Sequence, residues 1–191
     1  MPLWHPPTNE DEIVHDFRPS LLPSGAHADP AVLARLSGLV NEVYAEAESG
    51  LWHAGAARTT VEEVAELTAA GQIAVACLGT YIVGCVRIRP PDHRAAEFGM
   101  LAADPAHRGH GIGHELVAFA ERRALDSGRP VMQLEILTPR SWTHPSKEFL
   151  AGWYTRLGYL RTGVSPVEGS YPALAPLLAT PCDLVVYRKR L

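Results

Sequence analysis

Cysteine is scarce in this chain of 191 residues: Cys77, Cys85 and Cys182 are an odd number, widely spaced, with no CxxC pair. That excludes a disulfide framework and a zinc finger, and it favours a reducing compartment. Long apolar runs are missing too. The longest, residues 73–86, is about 14 residues and is broken by Gly79-Thr80, short of the roughly 20 that a bilayer demands. Its opening, Met1-Pro2-Leu3-Trp4-His5-Pro6-Pro7, has neither a basic flank nor an apolar run, so no secretory signal is read there and a cytoplasmic protein is expected. Positive charge is in deficit, with 17 lysines and arginines against 21 acids and a net charge of −4. A protein that clings to nucleic acid or to an anionic membrane would show the reverse balance. There is no internal repeat and no charge run. What remains is ordinary globular material, 47% hydrophobic and 20% charged. A chain of this length buries roughly 70% of its unfolded surface without staples.

The first 29 residues hold five prolines and read as an arm, with one candidate edge strand over residues 13–17. Asp29-Pro30 then starts a helix whose Val32, Leu33, Leu36, Leu39, Val40 and Val43 recur at three- and four-residue steps up to Gly50. A second helix runs from Thr59 or Thr60 to Gly71, with Glu62 and Glu63 in its first turn. The period then changes. Residues 73–78, Gly79-Thr80 and residues 81–88 read as a hairpin, and residues 95–103 as a third strand ended by Asp104-Pro105. Gly111 to Leu125 is a helix, 131–137 a strand, 146–157 a helix and 159–164 a strand. A proline-rich loop leads to a last strand at 183–188. The order predicts one α/β domain over residues 30–191.

Chemistry is most concentrated at Arg108-Gly109-His110-Gly111-Ile112-Gly113, between a strand and a helix. Glycines there let several N–H groups converge beside a positive helix end, which favours a phosphate. A Walker loop is excluded, because Gly113 is followed by His114-Glu115 rather than Lys-Ser/Thr. A dinucleotide fingerprint is excluded by the even spacing of Gly109, Gly111 and Gly113. The loop resembles the pyrophosphate loop of the GNAT acetyltransferase superfamily, Gln/Arg-x-x-Gly-x-Gly/Ala, at Arg108, Gly111 and Gly113. Later, Trp153-Tyr154-Thr155-Arg156-Leu157-Gly158-Tyr159 is similar to that family's aromatic-Tyr-x-x-x-Gly-aromatic segment. With the helix pair and hairpin upstream, the likeness covers about residues 30 to 190.

This resemblance implies a mixed, mostly antiparallel sheet with helices on both faces and a splayed parallel pair, 95–103 and 131–137, that holds acyl-coenzyme A. It implies contacts to the pantetheine arm from Met100, Leu101 and Ala103. The pyrophosphate would lie on Arg108, Gly109, His110, Gly111, Ile112, Gly113 and His114. Where the family often carries Asn, seven residues before the tyrosine, this chain has Lys147, which either reaches the coenzyme or covers the helix face. The implied activity is N-acetylation of a primary amine, on a small molecule or peptide, by direct transfer from acetyl-CoA. Deprotonating a lysine-like amine at neutral pH costs about 4.6 kcal/mol. Resembling enzymes place a base on the strand entering the loop, here Glu97; His144 in the following loop is a second candidate. Tyr154 matches the family's general acid for the departing thiolate.

The histidines His107, His110 and His114 are read without a metal, since no cysteine or carboxylate cluster completes a tetrahedron. The cysteines lack a base and read as structural thiols. Walls of the acceptor pocket are expected from the loop Leu51-Trp52-His53, the Trp142 loop and the loop 165–180 with Tyr171. A homodimer is left open. An alternative of another class, a catalytically silent acyl-CoA-binding sensor or docking domain, would bind the coenzyme without releasing its thiol.

Overall fold

The computed structural model describes residues 17–90 and 92–191. Helix α1, Pro30–Ala47, is capped by Asp29, whose carboxylate accepts the N–H groups of Ala31 and Val32. Helix α2, Val61–Ala69, opens on Thr60, whose hydroxyl accepts the N–H of Glu63 at 3.1 Å. The apolar stripes of the two helices, Leu33, Leu36, Leu39 and Val40 with Val64 and Leu67, pack on Val75, Ile82, Cys85 and Ala102 of the sheet.

Among the described residues seven strands make that sheet: β1 Ser20–Leu21, β2 Ile73–Leu78, β3 Tyr81–Arg89, β4 Ala95–Ala103, β5 Val131–Pro139, β6 Leu160–Pro166 and β7 Cys182–Arg190. They lie in the order β1-β2-β3-β4-β5-β7-β6, and only β4 and β5 run parallel. Helices α3, Ile112–Asp126, and α4, Pro145–Arg156, belong to the opposite face. There Ile112, Leu116, Val117, Ala120 and Tyr154 join Ala74, Val83, Val86 and Phe98 in the larger core. Alternation along each strand explains the division, since successive side chains point to opposite faces. Gly84 sets the approach of α3: a Cβ there would stand 2.6 Å from Ile112 Cγ2 and 3.1 Å from the Ala102 carbonyl oxygen.

The α/β architecture is the one the element order predicts, and helices on both faces of the sheet are what the resemblance implies, with local differences. The first helix ends at Ala47 rather than near Gly50, and a short helix α5, Val167–Ser170, interrupts the proline-rich loop. The candidate edge strand over residues 13–17 falls outside the described residues except for Phe17, which is buried in the larger core. The segment read as an arm is anchored from that point. β1 pairs Ser20 with Val75 and Leu21 with Ala74, and the Leu22 N–H bonds the Ile73 carbonyl at 2.9 Å.

Two irregularities open the middle of the sheet. The parallel pair β4–β5 holds for three residue pairs only, Ala95 with Val131, Ala96 with Met132 and Glu97 with Gln133. Beyond Glu97, β4 stays with β3 and β5 with β7. In the same stretch Cys85 faces Ala102 while Arg87 faces Gly99, so β4 carries one residue more than β3 there. Met100 absorbs the extra residue at φ 49°, the one non-glycine with positive φ among the described residues. Such a bulge bends its strand and re-aims side chains.

Candidate active site

The parting strands border a cavity of about 340 Å³, in the range of small-molecule sites. Its walls come from α1 (Tyr44), the α1–α2 connection (Glu48, Trp52, Arg58), β3 (Arg87, Arg89), β4 (Glu97 to Leu101), β5 (Glu135 to Leu137), α4 (Lys147, Leu150, Tyr154) and the segment around Val167 and Tyr171.

Glu97 is buried at the point where the strands part, and strand register supplies its partners. Arg89 opposite it on β3 donates from Nε at 2.7 Å to Oε1, and Gln133 opposite it on β5 donates from Nε2 at 2.9 Å to Oε2. Arg188 on β7 in turn donates to Gln133 Oε1 at 2.8 Å. One polar row thus crosses four strands. The next row inward is looser. Arg87 faces Gly99, and its Nε donates to the neutral Gln72 Oε1 at 2.9 Å. Burial first, and then the like charge of Arg89, lower the Arg87 guanidinium from the ordinary arginine value. On β5, Glu135 accepts from the Tyr171 hydroxyl at 3.0 Å. Burial first, and Glu97 second, raise its carboxyl above the ordinary glutamate value, so its protonated form persists to higher pH.

Tyr154 is buried against Phe98, Trp153 and Tyr159, with ring centroids 5.8, 4.8 and 5.9 Å away. Its hydroxyl has no hydrogen-bond partner among the described residues. Burial, and secondarily Tyr44, push its pKa well above the ordinary tyrosine range. The phenol therefore keeps its proton at neutral pH, as a donor must.

Two expectations meet a different geometry. His144 caps α4: its Nδ1 accepts the Ser146 N–H at 3.2 Å, which leaves Nε2 to carry the proton and donate to the Ser49 carbonyl at 3.0 Å. With both nitrogens engaged and the ring outside the cavity lining, His144 has no free lone pair for an acceptor's proton. Lys147 does border the cavity, but its Nζ lies 2.8 Å from Glu48 Oε1 in a buried ion pair, and Trp52 Nε1 donates to the other Glu48 oxygen at 2.7 Å. Its ammonium is therefore spent on the protein rather than turned to a coenzyme.

The glycine loop sits at the far end of β4. Gly109 and Gly111 take φ of 88° and 79°, conformations that other residues rarely adopt, and Arg108, His110 and His114 are exposed. No side chain caps α3, and the Glu115 N–H bonds the Gly111 carbonyl at 3.0 Å. The N–H groups of Ile112, Gly113 and His114 are thus the ones a helix leaves without an internal partner. Their cluster and the dipole end suit a pyrophosphate. The Ile112 side chain has a separate task, packed in the core against Gly84. A Cβ at Gly113 would stand 3.6 Å from Trp153 Cη2, which brings the loop helix beside the helix of Tyr154. Of the residues expected to hold the pantetheine arm, Met100 and Leu101 line the cavity, whereas Ala103 lies beyond its lining. Among the described residues no group of three or more His, Cys, Asp or Glu is placed to hold a metal ion. No described helix is long and apolar enough to cross a membrane.

Sequence reasoning missed Arg87, Arg89, Glu135 and the Glu48–Lys147 pair. For the strand residues a signal existed. Arg87 and Arg89, like Gln133 and Glu135, are polar at alternate positions of otherwise apolar strands, so each pair shares a face.

The described geometry has close counterparts. An aminoglycoside 6'-N-acetyltransferase complexed with coenzyme A superposes with a TM-score of 0.66 at 18% identity, over 90% of this chain and 96% of that one. An N-acetyltransferase from Staphylococcus aureus Mu50 gives 0.62 at 13% identity, over 90% and 96%. The Rv2747 protein of Mycobacterium tuberculosis, in complex with CoA, gives 0.60 at 15% identity, over 91% and 98%. No curated protein sequence matches this chain. At such identities structural likeness speaks for the fold alone. The family model described as "Acetyltransferase (GNAT) family" matches residues 39–159, more than half the chain, from α1 through the glycine loop to Tyr159. The chain belongs to the acetyltransferase (GNAT) family.

Proposed function

We propose that the protein is an N-acetyltransferase that moves the acetyl group of acetyl-CoA directly onto a primary amine of a small molecule or peptide. The observation that carries this reading is the parallel pair β4–β5, which parts after three residue pairs, beyond Glu97 and ahead of the Met100 bulge, beside a cavity lined by Tyr154 and Glu97 and on the strand that leads to the glycine loop. An extended pantetheine arm would run along the unpaired edge of β4 at Met100, Leu101 and Ala103. Its pyrophosphate would lie on the backbone of Arg108 to His114. Two structurally similar proteins are N-acetyltransferases by name, which favours nitrogen as the acceptor atom.

In the step itself the amine nitrogen bonds to the thioester carbonyl carbon and the carbon–sulfur bond breaks. The amine's proton leaves toward the carboxylate wall at Glu97, through water. Tyr154 gives its proton to the departing thiolate. No cysteine is placed to form an acyl-enzyme, since burial raises the thiols of Cys77, Cys85 and Cys182 above their ordinary value. The three free thiols suit a cytoplasmic setting. The test is release of free coenzyme A thiol from acetyl-CoA over a panel of primary amines. Amine-dependent release is expected; coenzyme binding with no release by any amine would leave a silent binding domain.

A further inference from the structure

The charged side chains around the cavity are balanced, with Arg58, Arg87, Arg89 and Lys147 against Glu48, Glu63, Glu97 and Glu135. A site shaped for a polycationic amine would carry an excess of carboxylates; equal numbers suit an acceptor with no net charge. Most of the eight are answered within the protein. Arg89 holds Glu97, and Lys147 holds Glu48. Arg58 lies 3.7 Å from Glu48 and over the rings of Tyr44 and Trp52. Glu63 sits in the first turn of α2, where the helix end favours it, and takes the Thr59 hydroxyl at 2.8 Å. Two remain, both on the parting strands, with no ion pair and no helix end to answer them: Arg87, bonded to Gln72, and Glu135, bonded to Tyr171 and acted on by Arg89 without an ion pair. Glu63 and Glu97 act on Arg87 without an ion pair.

These two charges of opposite sign flank the opening. Arg87 faces Gly99 in register, and Glu135 stands two residues beyond Gln133, the last β5 residue paired with β4. With β4 between them and β5 already parted from it, their strands are more than about 10 Å apart at the backbone. Gly99 contributes no side chain there, and nothing lies within 4 Å of where its Cβ would be. A small molecule lying over Gly99 would meet a guanidinium on one side and a carboxylate on the other.

We propose that the acceptor is an amino acid or a similarly small amine bearing a carboxylate, with its ammonium received by Glu135 and its carboxylate by Arg87. The inference rests on the N-acetyltransferase reading and names the substrate class for that site. A planar guanidinium fork matches a carboxylate, and such charge-assisted pairs are the stronger hydrogen bonds of a binding site.

The test follows thiol release with the proteinogenic amino acids, each beside its decarboxylated amine and its amide, and with an aminoglycoside as a polycationic rival. An amino acid is expected to exceed its carboxylate-free partners in kcat/KM by about ten- to a hundredfold. Arg87→Gln should abolish that preference, mainly through KM, while the variant still binds acetyl-CoA. Arg87→Lys, which keeps the charge and loses the fork, should retain part of the preference. Equal or better turnover of the decarboxylated amines or of the aminoglycoside overturns the amino-acid inference and leaves the N-acetyltransferase reading standing. A preference that survives Arg87→Gln in a coenzyme-binding variant overturns the assignment to Arg87. Coenzyme binding without turnover of any amine overturns both readings.

Discussion

Where the opening between β4 and β5 approaches α3 its surface is backbone: a bulged strand edge, two glycines at positive φ and the first N–H groups of a helix. Where it approaches β3 and β5 the surface is side chain, with a row from Arg89 to Arg188, a buried Glu48–Lys147 pair and a phenol beneath them. The first region is written within one short stretch of sequence and, on the proposed function, takes whatever bears a pyrophosphate. The second draws on segments far apart in the chain and, on the same proposal, recognises one acceptor. General and local therefore go together here, as do specific and dispersed. The contrast predicts that the coenzyme end fails when its backbone is changed and the acceptor end when single side chains are.

The largest effect is expected at the most enclosed charge. Lys147→Met leaves buried Glu48 with only Arg58, 3.7 Å away, and losing the close partner of such a pair costs up to about 3–5 kcal/mol. Denaturant unfolding should show it, and adding Glu48→Gln should recover most of the loss; a fold indifferent to Lys147→Met would mean the pair is solvated.

Glu97→Gln should reduce turnover by about a hundredfold or more, as a general base does, with coenzyme affinity little changed. A wild-type rate against pH in this variant would move the proton to Glu135. The two carboxylates can also be told apart by titration. Glu97 is one of the charges that raise Glu135, so its neutralisation should shift the acid limb governed by Glu135 to lower pH.

At the other end, Gly111→Val sets a β-branched side chain at φ 79°, among the conformations such residues avoid most. Coenzyme affinity by calorimetry should fall about tenfold or more. Unchanged affinity in the folded variant would remove the loop from the coenzyme site.

The smallest effect is expected from Tyr154→Phe, which keeps the ring against Phe98 and Tyr159. A fall in kcat of about tenfold, with coenzyme dissociation unchanged, marks a hydroxyl used only as the thiolate leaves. It is muted because a thiol with a pKa near 8.5 departs tolerably unaided. Full activity would make Tyr154 an aromatic anchor.

The same contrast explains what could be read in advance. Helix starts at Asp29 and Thr60, the hairpin at Gly79-Thr80 and the glycine loop are local events, and each stands where the residues predict it. That Glu97 and Tyr154 border the cavity is legible because each sits in or beside a motif. The partners of Glu97 were not, since Arg89, Gln133 and Arg188 meet only through strand register across four strands. His144 illustrates the opposite case. A histidine followed by proline at a helix start reads equally as a loop base or a cap, and only the Ser49 carbonyl, 95 positions away in sequence, decides. β1 was invisible because two residues carry no period.

The place of β7 has a consequence for how the molecule comes into being. It is the last strand of the sheet in chain order, yet it lies between β5 and β6. During synthesis β6 therefore emerges with no neighbour to bond, and β5 waits with one edge open. Such late, non-local closure is slow and leaves strand edges available to other chains. Until β7 threads into that slot, the polar row from Arg89 to Arg188 is incomplete, so this wall of the cavity closes only after β7 has joined the sheet.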